Sequence, residues 1–488
     1  MAARVRIGAD WVVGFEDGEH VLIEDGAVVY EGDEVLHVGH GYDERVDEEV
    51  RAPGCLVTPG LVNCHLHLGS NVTHTFFLDQ TRADYFGANF YAYAVGRRGY
   101  GDPRRDDRPD VQQLYGLWAA IRGGSTTVVD VGTKNLEAIV ELAGDVGARV
   151  YLGPSFKSKT YAYDDQGRLH WDDDTRSGAA GLERAVDFAA AHDGAHGGRV
   201  RAMLFPAQLD TCDVALLRAT RAAADEHDLP VSLHAAMNLV EFHRTMAEHR
   251  LTPIQLLDSI GFLAPDVTLG HCVFHAHHSW AHYPYVDDLQ LLADSGAAVA
   301  HAPYKYAKMG IALESLSEYR ARGITVALGT DTFPQDMIRE MRYAAIMNRF
   351  ASGSYRVGSA REVFDAATLG GARALGRADL GRLCAGSRAD LLVVDLAGCQ
   401  YGAVHDPIRS LVEYGDASDI RRIIIGGRSV LADGVAVAVD EERLLREVRA
   451  AAVQAWDRTP EWHWAGAGVE EIAPMSYRVV ARPGSAPY

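Results

Sequence analysis

Hydrophobic and polar positions follow two different patterns along the chain. Up to residue 57, apolar and polar residues alternate in short runs that are separated by Asp-Gly and Glu-Gly pairs. A period of two is typical of strands with one packed face and one wet face, and these pairs favour tight turns. We therefore predict a small antiparallel sheet for residues 1–57, built from RVRIGADWVV, HVLIEDGAVVYEG and EVLHVGHG.

From residue 58 to 380 the chain changes to short, continuous apolar runs rich in β-branched residues, most of them separated by helical stretches. This pattern indicates a parallel sheet covered on its outer face. Eight such runs predict an α/β fold, a TIM-type (β/α)8 barrel, whose site lies where the strands end. The runs begin with VTPGLVNCHLH and continue with TTVVDVG (126–132), RVYLGPSF (149–156), VRAMLFPAQ (200–208), VSLHAAM (231–237), VTLGHCVF (267–274), AAVAHAPY (297–304) and TVALGTDTF (325–333).

Strand-like alternation returns in residues 381–440, which we interpret as the second part of the N-terminal sheet, so that both segments form one composite β-sandwich domain. Residues 441–488 complete the chain. Glu441 to Arg458 has the spacing of an amphipathic helix, and the irregular tail that follows is a candidate for packing on a neighbouring subunit.

Composition narrows the class of protein. At 488 residues the chain exceeds one simple core, and its 48% hydrophobic and 23% charged residues are those of a globular protein. A formal net charge of −20 argues against nucleic acid or an anionic membrane as a partner. The six cysteines include no CxxC pair, the first residues form a charged, strand-like pattern that we do not interpret as a leader, and no apolar run reaches membrane-spanning length. These features predict a cytoplasmic protein with reduced thiols.

Candidate chemistry is concentrated at the ends of the apolar runs. On a strand, residues two apart point to the same side, so His65 and His67 present two imidazoles to one place while Leu66 packs behind them. Two neutral imidazoles on a rigid strand are a suitable start for a metal site. Further candidates close later apolar runs, and they are His234, His271, His301 and Asp331.

Three long motifs, in order along the chain, carry a family resemblance. They are VTPGLVNCHLH, GTDTFPQDMIREMRYAAIMNR and AATLGGARALGRADLGRLCAGSRADLLVVD. With these motifs the chain resembles the amidohydrolase superfamily, in the branch of cytosine deaminase-like and triazine-hydrolase (chlorohydrolase) enzymes. The resemblance implies a metal-centred barrel with a composite β-sandwich, a small-molecule substrate, and assembly as a homodimer or homotetramer.

The resemblance also implies the composition of the site. His65, His67, His234 and Asp331 would bind one divalent metal ion, with zinc as first choice and iron(II) or manganese(II) as alternatives. The metal would activate a water, and Asp331 would take the proton of that water. His271 would contact the substrate or the water, although in some superfamily members this histidine is itself a ligand.

The chain departs from the family pattern at two strand ends. Deaminases of the family carry a proton-shuttling glutamate three residues after the strand-5 histidine, and here that residue is Met237, whose thioether cannot carry a proton. Glu241, expected on the following helix and pointing elsewhere, is a candidate replacement. After strand 7, HAPYKYAKMG replaces the usual Ser-Asn pair, so that Tyr304, Lys305 and Tyr306 alter the pocket. His301 is either a substrate contact or a packed core residue.

From these residues we predict an amidohydrolase that cleaves C–N bonds other than peptide bonds in an amidine, a cyclic amide or an amino-heterocycle, with Asp331 as principal base and acid. Asn71, Met237 and Tyr304 are further candidate substrate contacts. The aromatic-rich insertion Thr75 to Tyr100 suits a planar or ring-bearing substrate. The alternatives are dehalogenation or another non-deaminating reaction on a biosynthetic intermediate, and a non-catalytic member that binds a small ligand.

Overall fold

The computed structural model describes residues 2–72, 111–132, 135–164, 166–314 and 316–480. The aromatic insertion predicted to line the pocket, residues 75–100, lies outside these described residues, as does the charged run at 97–108. Within the described ranges, no helix combines the length and the apolar character needed to cross a membrane.

The N-terminal segment forms five strands. Asp17 and Gly18 both have positive φ (50° and 88°), so a tight turn with the twist of the flanking strands joins the first two. The prediction of a purely antiparallel sheet is wrong for one pair, because the fifth strand returns to the open edge of the first and runs parallel to it. The strands are β1 (Arg4–Glu16), β2 (Glu19–Glu24), β3 (Ala27–Glu31), β4 (Glu34–Gly39) and β5 (Glu48–Pro59).

The middle of the chain forms the predicted barrel. Within the described ranges, eight strands lie in two parallel four-stranded sheets, and isolated parallel bridges (Leu204 with Val231, Leu66 with Asp331) join the sheets at both edges. These eight strands and four short ones outside the two sheets are β6 (Leu61–Leu66), β7 (Ser125–Asp130), β8 (Arg149–Leu152), β9 (Ser155–Phe156), β10 (Lys159–Tyr163), β11 (Leu169–Asp173), β12 (Val200–Ala202), β13 (Phe205–Pro206), β14 (Val231–Ala235), β15 (Val267–His271), β16 (Ala298–His301) and β17 (Val326–Leu328). The two sheets have the orders β12-β8-β7-β6 and β14-β15-β16-β17; β10 and β11 form a hairpin, and β9 pairs with β13.

Several helices begin where a side chain satisfies one of their first backbone N–H groups. Asp213 accepts from the N–H of Leu216, and Thr252 forms a capping box with Gln255. The α-helices are α1 (Val111–Arg122), α2 (Leu136–Val146), α3 (Thr175–His192), α4 (Ala195–Gly198), α5 (Val214–His227), α6 (Leu239–His249), α7 (Pro253–Ser259), α8 (Asp288–Ser295), α9 (Pro303–Lys308), α10 (Leu316–Ala321), α11 (Met337–Ser352), α12 (Ala360–Asp365), α13 (Gly371–Ala374), α14 (Pro407–Tyr414), α15 (Glu441–Asp457), α16 (Thr459–Trp462) and α17 (Val469–Ile472). Short 3₁₀ turns span Leu209–Thr211 and Ala417–Asp419, and a π-helical turn spans Ala366–Gly370.

The chain returns to the small domain after the barrel. The strands β18 (Leu391–Asp395), β19 (Ile420–Ile425), β20 (Arg428–Ala432) and β21 (Val435–Ala436) continue the N-terminal sheet, because β18 pairs antiparallel with β5. The composite sandwich is thus one nine-stranded sheet in the order β21-β20-β19-β18-β5-β1-β3-β4, with β2 on β1. Buried Val12, Val57 and Val393 belong to its core. The residue boundaries of the domains stay a prediction.

Two sets of contacts tie these parts together. At the N-terminal end of β8, Arg149 forms an ion pair with Asp390 (Nε to Oδ2, 2.8 Å), and both side chains are only 3% exposed. The amphipathic helix is confirmed as α15, and Trp456 on it donates to the carbonyl of Val72, 3.0 Å away, just beyond the first barrel strand. The tail that was a candidate for packing on another subunit packs Trp464 against the hairpin of its own chain.

Candidate metal centre

The site is built at the C-terminal ends of the barrel strands. His65 and His67 lie at the end of β6, with ring centroids 5.4 Å apart, and His234 lies one residue before the end of β14. His271 is the last residue of β15. Asp331, three residues beyond β17, is fixed to β6 by two backbone hydrogen bonds of 2.8 Å, from its N–H to the His65 carbonyl and from the His67 N–H to its own carbonyl.

These five side chains form two overlapping groups of possible metal ligands. In the described part of the chain, one ligand atom from each of His65, His67 and His234 lies within 4.8 Å of the others, and the same holds for His65, His271 and Asp331. His65 is common to both groups. The structure therefore brings together all four residues predicted as ligands, and it places His271 as close to the centre as a ligand would be.

The imidazoles of His67 and His234 are oriented for a cation. The Nδ1 atom of His67 lies against the carbonyl of Val131, and that of His234 lies 2.5 Å from the carbonyl of Ala207. A backbone carbonyl only accepts, so each Nδ1 carries its proton and each neutral ring presents a lone pair at Nε2. These two Nε2 atoms are 3.3 Å apart. Two acceptors at that distance repel each other unless a cation lies between or beside them, and carbonyl-anchored imidazoles are typical of metal ligands.

His65 gives a second test of fit. It is completely buried, and among the described residues neither of its ring nitrogens has a hydrogen-bond partner. Such a group is rare in a folded protein, because it loses its bonds to water without replacement. Two glycines leave the space that His65 occupies. A Cβ at Gly270 would come within 2.7 Å of the His65 ring, and a Cβ at Gly329 would come within 2.6 Å of the His65 backbone oxygen. The donor set fits a divalent ion of the kind that zinc exemplifies.

Burial keeps the imidazoles neutral and ready to coordinate. It lowers the pKa of His234 to about 3, with a smaller contribution from His67, and it holds the pKa of His65 and of His271 well below their usual range. Burial acts in the opposite sense on Asp331, but the Lys305 ammonium and the surrounding histidines outweigh it and hold the pKa of this carboxyl well below its usual range. The centre thus combines uncharged nitrogen ligands with an ionised carboxylate.

Backbone strain is found at the same place. His271 has φ of 78° and Asp331 has φ of 56°, values in the left-handed region that side chains other than glycine rarely adopt. Strain of this kind persists only where the surroundings enforce it and is concentrated at functional sites. At this centre it accompanies the two groups whose side chains face each other, His271 Nε2 and Asp331 Oδ2, at 3.4 Å.

Lys305 is the residue whose role the sequence did not reveal. Its ammonium group contacts Oδ2 of Asp331, and its side chain is 15% exposed. It lies on α9, which starts directly after β16 and is held by Glu340, whose Oε2 accepts from the N–H of Tyr304 at 2.9 Å. The sequence marked Lys305 as altering the pocket. Its place four residues after the strand-end His301 puts Lys305 at the face where the site lies, but no sequence signal indicated its contact with Asp331.

The loop after β14, where Met237 stands in place of the expected glutamate, is held by local hydrogen bonds. Met237 is buried, and the carboxylate of Glu241 accepts from the N–H groups of Ala236 (2.6 Å) and Met237 (3.4 Å). Glu241 lies on the following helix as predicted and is turned back to brace the loop after His234; burial, with a contribution from Asp210, raises its pKa well above the usual range. Tyr306 donates to the carbonyl of Met237 at 3.0 Å.

The other predicted substrate contacts lie outside the two ligand groups. Asn71 is buried, and its Nδ2 donates to the carbonyls of Leu68 (2.9 Å) and Gln112 (2.6 Å), which holds the loop after β6. His301 is buried at the end of β16, and burial lowers its pKa to about 3. The ring of Tyr304 packs edge-on against Tyr343. For all three, contact with a substrate stays a prediction.

Comparison with known proteins agrees with this arrangement. The amidohydrolase family model matches residues 56–430. A 5-methylthioadenosine/S-adenosylhomocysteine deaminase of Halobacterium salinarum is 31% identical over 423 residues, which cover 86% of this chain and 91% of that protein.

Two solved structures share the fold. A triazine hydrolase variant superimposes with a TM-score of 0.75 at 24% identity and covers 92% of this chain and 99% of its own. A zinc-bound adenosine deaminase from Xanthomonas campestris gives a TM-score of 0.73 at 22% identity, with 93% and 98% covered. The barrel and its companion sheet are thus common to these chains.

Proposed function

Since this chain belongs to the amidohydrolase family and is a metal-dependent hydrolase of C–N bonds other than peptide bonds, we propose that it hydrolyses such a bond at an electrophilic carbon of an amino-heterocycle, an amidine or a cyclic amide. The observation that carries the proposal is the centre itself, in which His65, His67, His234 and Asp331 meet at the strand ends. We propose zinc as the metal, because three imidazoles and one carboxylate suit it and leave a position for water.

The four residues named above would hold the metal. When bound, it supplies Lewis acidity, which lowers the pKa of a water molecule to near neutrality. The chain's own residues then determine how protons move. Asp331 is ionised, and its Oδ1 has no hydrogen bond within the described residues, whereas Oδ2 is held by Lys305. Oδ1 is therefore the atom that we propose to accept the proton of the attacking water and to return it to the leaving nitrogen.

His271 is proposed to polarise the substrate. Its ring nitrogens have no hydrogen-bond partner in the part of the chain that the structure describes, and its Nε2 faces Asp331 at 3.4 Å. An imidazole in this place can hydrogen-bond the substituent of the carbon under attack, which makes that carbon more electrophilic. The same geometry also permits His271 to act as a ligand.

In the described part of the chain, the two ligand groups contain one carboxylate, and this limits the reaction. Met237 cannot carry a proton, and both oxygens of Glu241 are engaged by backbone N–H groups. Among the residues that the structure describes, we therefore assign the roles of base and acid to Asp331 alone, without a second carboxylate to protonate a ring nitrogen. This favours a substrate that is already electrophilic. General acid–base assistance is worth about 10²–10⁴-fold in rate. With an unactivated aromatic amine, a site without the second carboxylate would lose a factor of that size.

The chemistry of the relatives suggests a planar, nitrogen-rich ring. The proteins similar to this chain are named for adenosine derivatives and triazines, and both rings carry a substituent on an electron-poor carbon that is bonded to at least one ring nitrogen. One observation favours a second candidate, dehalogenation. Lys305 adds a positive charge beside the only carboxylate of the two ligand groups, and a leaving group that departs as an anion needs no proton.

The test is product analysis in ¹⁸O-labelled water. Zinc-loaded protein and a chelated control would be incubated with amino-heterocycles, amidines, cyclic amides and halotriazines, and products read by mass spectrometry. We expect metal-dependent incorporation of one ¹⁸O with loss of an amine, or addition of a whole water where a cyclic amide opens. Loss of halide would favour the second candidate.

The matched variants are Asp331→Asn at the centre and Asp294→Asn on the exposed surface of α8. Only the first should lose turnover, because Asp294 contacts Gln290 on its own helix. Turnover that survives both chelation and Asp331→Asn would contradict the proposal.

A further inference from the structure

The centre contains a fixed positive charge in contact with a metal ligand. The ammonium group of Lys305 lies against Oδ2 of Asp331, and the Asp331 side chain is completely buried. The position of Lys305 is imposed by its surroundings. Its helix starts at Pro303 and is held by Glu340 at the N–H of Tyr304, while the next residue, Tyr306, is anchored to the carbonyl of Met237.

This contact balances the charge of the centre. In the described residues, Asp331 is the only acidic member of the two ligand groups, and the other members are imidazoles. One ammonium and one carboxylate therefore sum to zero. A buried carboxylate without a partner is strongly destabilising. The Lys305 ammonium compensates the charge of Asp331, as a bound metal ion would. A divalent cation entering the same group meets a like charge already in contact with the ligand it needs.

We propose that Lys305 is an internal counter-ion that competes with the metal for Asp331, so that it stabilises the metal-free fold and weakens metal binding. The inference rests on the proposed metal dependence, and it names Lys305 as a positioning residue. Lys305 holds Asp331 in place and yields one oxygen contact when the metal binds. Its effect is therefore on metal occupancy, separate from any effect on turnover.

The chain offers a matched control. Lys308 lies one turn further along α9, and its Nζ is 5.7 Å from the centroid of the Tyr304 ring and is not among the contacts of Asp331. Lys305→Met and Lys305→Gln remove the charge at the centre, Lys305→Arg keeps it, and Lys308→Met removes an equal charge from the same helix. The affinity for zinc would be measured by competition with a fluorescent chelator at constant ionic strength.

The expected result is a charge-dependent change in affinity. Lys305→Met and Lys305→Gln should bind zinc at least about tenfold more tightly than the wild type, whereas Lys305→Arg and Lys308→Met should stay close to it. The metal-free Lys305→Met protein should also melt at a lower temperature than the metal-free wild type, and zinc should raise its melting temperature by more. Equal or weaker zinc binding by both uncharged variants would overturn the proposal.

A second measurement needs no variant. Amine acylation of the wild-type protein, followed by peptide mass spectrometry, would compare the reactivity of Lys305 and Lys308 with and without zinc. If the metal displaces the ammonium from Asp331, Lys305 should react several-fold faster when zinc is present, and Lys308 should react at the same rate. Unchanged or slower labelling of Lys305 would overturn the proposal.

The outcomes separate this inference from the proposed function. If the wild type and Lys305→Met bind zinc equally well, the counter-ion is refuted and the metal-dependent function stands. If neither binds zinc, both fail. If only the uncharged variants bind zinc, the counter-ion is supported, and the proposed function must be abandoned for the natural chain.

Discussion

Gly270→Ala is the substitution that most directly tests how the centre is built. Gly270 lies on β15, where it pairs with His234 across the sheet, and its missing side chain leaves space for the ring of His65. A Cβ at this position would lie 2.7 Å from Cε1 and 3.0 Å from Nδ1 of His65. Carbon atoms in contact prefer about 3.5–4.0 Å, so the ring must move by roughly 0.8 Å or the strand must shift.

The magnitude follows from the tolerance of metal sites. Ligand distances vary by only about 0.2 Å in a functional site, so a displacement of roughly 0.8 Å removes His65 from coordination geometry. Changes to the groups that position a ligand typically reduce metal affinity about 10–100-fold, and we expect an effect in that range. Forcing an extra methyl group into a packed core also destabilises the fold by about 1–3 kcal/mol, partly offset by the lower entropy of the unfolded alanine chain.

The assay is zinc affinity by chelator competition together with metal-free thermal melting. The control is Gly8→Ala, because a Cβ at Gly8 would meet only the carbonyl oxygen of Gly26, at 3.9 Å. Both substitutions lower the entropy of the unfolded chain by a similar amount, so a difference between the two variants reports the contact with His65. Zinc affinity of Gly270→Ala equal to that of the wild type would show that the space beside His65 is not needed for the metal.

Two further predictions concern stability. Asp390→Asn leaves Arg149 buried without its charge partner. This should lower the free energy of unfolding by about 3–5 kcal/mol, which corresponds to roughly 3–5 °C of melting temperature for a chain of this size, and zinc affinity should not change. The double variant Arg149→Met/Asp390→Leu should recover part of the lost stability. Stability should also fall with acid. Burial lowers the pKa of His275 to about 3 from 6.5, so between these values the unfolded chain takes up a proton that the folded chain does not, and stability is lost as pH falls below 6.5, at up to ~1.4 kcal/mol per pH unit. Melting between pH 7.5 and 5 should decline less steeply in His275→Asn, and an equal slope would contradict this assignment.

The sequence was sufficient for the features that depend on local pattern. Continuous apolar runs between helices predicted the barrel, and the period of a strand placed His65 and His67 on one side. His234, His271 and Asp331 were predicted as site residues because each closes an apolar run, and strand ends of a barrel converge at one face. Strand geometry thus identified the candidate positions, His301 among them, and the family resemblance assigned the ligand roles to His65, His67, His234 and Asp331.

What the sequence could not supply were contacts set by tertiary packing. The parallel pairing of β1 with β5 joins segments separated by three strands, and alternation within each strand is the same for either direction. The Glu241 carboxylate accepts a hydrogen bond from the N–H of Ala236, and this contact depends on a loop in which Ala236 has a positive φ. Lys305 has a long, flexible side chain, so its contact with Asp331 depends on where its helix starts and on what holds that helix.

The departures from the family pattern form one connected group in the structure. Tyr306 on α9 donates to the carbonyl of Met237 after β14, and its ring lies 5.1 Å from that of His271. The ammonium of Lys305 lies 5.6 Å from the same Tyr306 ring and against Asp331. The two strand ends thus contact each other at the centre. All four predicted ligands are present, whereas the residues that would handle protons and charge around them are different. Contact of the Met237, Lys305 and Tyr306 group with a substrate stays a prediction, because what these residues contact in the structure is one another, His271 and Asp331.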